Sequence, residues 1–175
     1  MRANRAAWVV FLLAFLALAV TLAVTYPGLP ERIASHFNLK GEPNGWMPKR
    51  SYLLFLCAVG LCVPWLLIGA TRFMRSLPPS AVSVPHRDYW MAAEHREEVY
   101  GITARFGLWI AAMEVLLFLV IHLCVVYANK ADPVLLPMGI VWGAAAGFLL
   151  IVVINVVRYY RHFRKLPERA ARKRS

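Results

Sequence analysis

Charged residues along the 175-residue chain fall in clumps, and the intervals between the clumps are long and apolar. No charge lies between Arg5 and Glu31, from Ser51 to Thr71, or from Pro133 to Val157. From Phe106 to Asn129 the one acidic or basic side chain is Glu114. Each interval reaches the roughly 20 apolar residues a helix needs to cross about 30 Å of hydrocarbon. Lipid offers no partner to an open backbone group, so spanning segments of this kind are helices. The pattern therefore predicts an all-α polytopic membrane protein with transmembrane helices over residues 8–26, 51–70, 106–128 and 133–157. The first apolar run, Trp8 to Val24, is long for a cleaved leader, and Thr25-Tyr26-Pro27 after it is a poor cleavage site. An uncleaved signal-anchor is expected.

The intervals between spans differ in character. Residues 27–50 hold prolines, glycines and a tryptophan and read as an ordered loop. Pro30 can open a short helix in it, turning Ile33 and Phe37 toward the bilayer or the helix ends. Lys40-Gly41 and Pro43-Asn44-Gly45 are turn signals. Residues 71–105 begin irregularly at Pro78, Pro79 and Pro85. Asp88 could then cap an interfacial helix from Tyr89, with Trp90, Val99 and Phe106 on an apolar side and Glu94, Glu97 and Glu98 on a charged one. That helix is also suited to docking a cytoplasmic protein. The connection Asn129–Pro133 is short, so the last two spans form an antiparallel hairpin. Pro64 frees the Gly60 carbonyl and bends the second span.

Hydrophobic residues make up 60% of the chain, and its net charge is +11. That charge suggests an anionic partner until the charges are placed. With the N-terminus inside, fifteen of the 20 Lys and Arg residues fall on cytoplasmic segments and five outside. This bias predicts a multi-pass membrane protein with both termini in the cytoplasm. It also accounts for the charge without nucleic acid, since the basic stretch from Arg158 onward suits the anionic inner leaflet. Cys57, Cys62 and Cys124 lie within spans and read as small apolar residues; no disulfide, metal site or cofactor is expected.

Three sets of residues could carry function. Glu114 and His122 are polar positions inside the third span, where ionisable groups are costly and suspect. Eight residues apart, they lie about 12 Å from one another along the axis, so they cannot touch but could mark a proton or ion path. Gly139, Gly143 and Gly147 recur every four residues in the fourth span and suit close helix packing. Their partner is expected to be a helix of this chain, the alternative being a second copy in a homodimer. The outer loop gathers His36, Asn38, Glu42, Asn44 and Trp46, a polar and aromatic set that could bind a peptide or envelope ligand or simply satisfy its own turns. No nucleophile-and-base pattern, HExxH or phosphate loop is present, so no enzyme is expected.

The same loop carries a resemblance. Leu29, Pro30, Ile33, His36, Phe37, Asn38, Gly41, Pro43, Gly45, Trp46 and Lys49 match a motif of the bacterial membrane domain of unknown function found at the start of Sdp-type toxin-immunity proteins. Ala34 and Asn44 stand where that family usually has proline and aspartate. The resemblance implies an immunity-like or ligand-sensing role for the loop. Longer members carry further helices and a second signature, so this chain reads as a short member without that C-terminal module. The competing expectation is a small proton-linked transporter or accessory subunit using Glu114 and His122.

Overall fold

The computed structural model describes residues 2–165, with side chains from Arg5 onward. Of the basic tail expected over residues 158–175, residues 166–175 lie outside the described residues, as does the side chain of Arg2. The element order is α1 (Arg2–Thr25), β1 (Arg32–Phe37), β2 (Pro43–Pro48), α2 (Lys49–Leu56), a π-helical turn (Cys57–Cys62), α3 (Val63–Phe73), α4 (Arg87–Trp90), α5 (Arg96–Ala128) and α6 (Met138–Arg164). The second span is α2, the π turn and α3 in series. Four helical segments are long and apolar enough to cross a membrane. The chain is an all-α polytopic membrane protein whose surroundings are a lipid bilayer.

The long helix α5 is the centre of the bundle. It packs most extensively on α1, next on α3, and along its other side on α6. Phe11, Leu18, Leu56, Ala111 and Val115 are fully or almost fully buried between the first three spans. Trp65 of α3 packs its ring edge-on against Phe11 of α1, centroids 5.1 Å apart. Outward-facing residues such as Leu13, Leu16, Leu54 and Leu66 remain exposed, as lipid-facing positions should be.

Pro64 sits directly after the π turn, in which the Val63 amide donates to the Ala58 carbonyl five residues back. A π turn before a proline relieves the backbone that the ring would otherwise crowd. Gly60 within that turn has a second reason to be glycine. A Cβ there would lie 2.9 Å from a Leu18 methyl of α1 and 3.5 Å from Phe118 of α5. Gly107 plays the same part at the crossing of α3 and α5, where a Cβ would stand 2.5 Å from Thr71.

Three expectations are corrected here. The segment after Pro30 is a strand: β1 pairs antiparallel with β2, Ile33 opposite Met47 and Ala34 opposite Trp46. Pro43, Gly45 and Pro48 make the second half of the loop a poor helix, and a hairpin pairs both halves. Ile33 still reaches the helix ends, fully buried. The surface helix expected from Tyr89 and leading into the third span is continuous with that span but begins later, at Arg96. Residues 87–90 form a single turn preceded by His86 at φ 51°, with no side-chain cap from Asp88. Residues from Arg96 onward are the first turns of α5, whose 33 residues extend about 50 Å, well beyond the hydrocarbon thickness. The third correction concerns Gly139, Gly143 and Gly147. Apart from the helix's own adjacent backbone, no described atom lies within 4 Å of a Cβ built on any of them, so the described chain supplies no close partner for the stripe. The α5–α6 pair is instead secured near the tail end, where Thr103 and Tyr159 share a hydrogen bond of 2.9 Å, and the Trp90 indole of α4 donates to the Phe163 carbonyl of α6 at 2.9 Å.

Candidate functional site

At the opposite end of the bundle the hairpin sits on the helix termini. Leu29 and Ile33 join the main core beside Leu22, Ala128 and Leu136. The decisive anchor is Asn129, just past the end of α5. Its Oδ1 accepts from the Ala34 amide at 2.8 Å, and its Nδ2 donates to the Ala34 carbonyl at 3.0 Å and to the Val125 carbonyl at 2.9 Å. One side-chain amide thus imitates a neighbouring strand at the residue where β1 needs one. At the tip, the Leu136 amide donates to the Gly41 carbonyl at 2.9 Å, tying the α5–α6 connection to the hairpin. Gly41 has φ 85°, and a Cβ on it would fall 2.4 Å from the Leu136 carbonyl oxygen. Only glycine meets both conditions. At the base, Lys49 pairs with Glu31 at 2.7 Å and lies 5.3 Å from the centre of the Tyr26 ring.

The five loop residues divide by what they touch. Asn38 is spent on the turn: its Oδ1 accepts from the Lys40 and Glu42 amides at 2.9 and 3.0 Å, and its Nδ2 donates to Glu42 Oε2 at 2.7 Å. Glu42 is held by that last bond. His36 lies across Gly45, where a Cβ would come within 2.9 Å of its own Cβ and 3.2 Å of the ring. Its Nδ1 is 3.2 Å from the Ser35 hydroxyl, and the residue is exposed. Asn44 and Trp46, two apart on β2, share an exposed face. Trp46 keeps 47% of its surface exposed, and Leu39 at the tip 79%.

Below the hairpin, His122 is 1% exposed and joins three spans. Thr25 of α1 donates its hydroxyl to the Thr21 carbonyl at 2.7 Å, which leaves its oxygen to accept from His122 Nε2 at 2.8 Å. Nδ1 is then the acceptor for the Tyr52 hydroxyl of α2 at 3.0 Å. A neutral imidazole with its proton on Nε2 satisfies both bonds. Glu114 is half-buried two turns along the same helix, with no hydrogen bond or ion pair to any described residue. The two are not linked, and His122 already has both nitrogens occupied. No group of three or more metal-ligating side chains comes together among the described residues.

Tyr52 and Thr25 were absent from the residues singled out by sequence, and Asn129 figured there only as the start of a short connection. Their partners are 70 to 97 positions away along the chain, so no local spacing marks them. An asparagine directly after a span and next to a tight connection is the one signal that was legible.

The stretch running through α1, the hairpin and the first part of the second span can now be compared with known families. Residues 8–61 match the family described as a domain of unknown function, DUF1648. The match takes in the whole hairpin and its base, and ends just past Gly60 in the π turn. It supports a membrane domain of unknown function. No curated protein and no solved structure matches the chain.

Proposed function

We propose that the hairpin faces the outside of the cytoplasmic membrane and is a rigid recognition platform for a peptide or envelope ligand, in a sensing or immunity-like role. The observation that supports this reading is the division of labour among the loop residues. Leu29, Ile33, Asn38, Gly41, Gly45 and Lys49 are each used in building or docking the hairpin. Asn44, Trp46 and Leu39 are not, and they stand exposed, with the outer side of His36 beside them, on a backbone fixed at its base, middle and tip. An exposed tryptophan on a preorganised surface is a group that gains much from a partner, because little ordering entropy is left to lose on binding. The excess of Lys and Arg on the other side of the membrane supports the outward placement.

Site-specific photocrosslinking in the native host tests the reading. A photoreactive residue at position 46 or 39 should capture a discrete peptide or envelope component, whereas one at Leu54, which faces lipid, should not. Adding Trp46→Ala to the position-39 probe should reduce that adduct at least fivefold with the protein still inserted. Failure to form a discrete adduct from either loop position would contradict the proposal.

A further inference from the structure

At the tail end of the bundle an open groove of about 590 Å³ runs between α5 and α6. Its inner wall is closed by Tyr159, which bonds Thr103 at 2.9 Å and packs against Phe106 with ring centroids 5.2 Å apart. Arg105 of α5 and Arg158 of α6 line it from its two banks. Trp109 stands one turn deeper than Arg105 on α5. Asn155 stands about one turn deeper than Arg158 on α6, and uses one amide hydrogen on the Ile151 carbonyl at 2.8 Å, which leaves a second to donate. Among the described residues the one acidic side chain in the lining is Glu98, which lies 3.3 Å from His162 Nε2 at the mouth.

We infer that this groove binds the headgroup of an anionic phospholipid from the inner leaflet. The Arg158 guanidinium, with the second amide hydrogen of Asn155 one turn deeper, matches a phosphate in charge and in hydrogen-bonding geometry. An indole one turn deeper sits where aromatic side chains meet the boundary of headgroup and acyl chain. Beyond the groove α6 is open to lipid, with no residue of its apolar window buried against the rest of the chain, so acyl chains can lie along it. Basic pockets between helices at the cytoplasmic surface suit such headgroups. The inference rests on the orientation adopted above. Its failure is separable from failure of the recognition reading, because crosslinking concerns the other end of the molecule.

Native mass spectrometry of the full chain released from detergent tests it, using phosphatidylglycerol and phosphatidylcholine with identical acyl chains. The wild type should retain phosphatidylglycerol at least tenfold better. Arg158→Gln should lower that retention about fivefold, the effect of one arginine near a lipid surface. Arg164→Gln removes the same charge from an exposed position outside the groove and should change it less than twofold. Excess inorganic phosphate should not displace the lipid. Equal retention of the two lipids by the wild type would overturn the inference, and that comparison needs no variant to fold. So would equal losses in the two variants, or displacement by phosphate.

Discussion

Asn129 illustrates how one side chain fixes a whole loop. Its amide satisfies both backbone groups of Ala34, which is buried. Replacement by alanine leaves that donor and acceptor with no protein partner, at a cost of about 2 kcal/mol. Asn129→Ala should therefore speed hydrogen exchange at the Ala34 amide by at least tenfold while exchange in the middle of α5 stays slow. Equal protection in both proteins would remove Asn129 from its anchoring role. Gly41 makes a second point at this scale. Gly41→Ala meets both a positive φ and the Leu136 carbonyl, whereas Gly28→Ala meets nothing within 4 Å. Limited proteolysis should cut the hairpin tip in the first variant and leave the second like the wild type. The turn chemistry of Lys40-Gly41 was legible in the sequence, because glycine after a polar run marks a left-handed residue. The strand pairing was not. Its inward and outward positions are interrupted by irregular register at His36, so no clean two-residue alternation is written into Arg32–Phe37.

Among the helices, the distinction between glycines that pack and glycines that do not is the more informative result. Spacing shows only where backbones could approach. The stripe at Gly139, Gly143 and Gly147 has that spacing and open surroundings, while the isolated Gly60 and Gly107 are pressed against side chains of other spans. Gly107→Ala should lower the thermal midpoint in detergent, since overpacking of this kind costs about 1–3 kcal/mol. Gly143→Ala should leave the midpoint unchanged or raise it slightly, because alanine is the better helix former. The reverse order would mean the crossings are misassigned. His122 is the corresponding polar device between spans. A double-mutant cycle of Tyr52→Phe and His122→Phe should show a coupling of about 1 kcal/mol in thermal unfolding. Additive losses would show that the hydroxyl and imidazole do not interact. The spans themselves were legible because hydrocarbon demands an uninterrupted apolar run, a constraint that sequence displays directly. His122 stood out as a polar residue in such a run, but its role was set by Thr25 and Tyr52 on other helices.

Taken whole, the molecule is polarised along the membrane normal. One end is closed by a hairpin clamped onto helix termini, and the other gathers aromatic and basic side chains around α5 and α6. The recognition surface and the lipid groove are proposed for opposite faces, so both depend on which end points outward. Cysteine labelling decides this most directly. With Cys57, Cys62 and Cys124 replaced by alanine, Leu39→Cys places a thiol on the exposed hairpin tip, and Arg161→Cys places one near the end of α6. A membrane-impermeant maleimide should label the hairpin position in sealed spheroplasts and the α6 position only after lysis. Labelling of the α6 position in sealed spheroplasts, with the hairpin protected until lysis, would contradict the account.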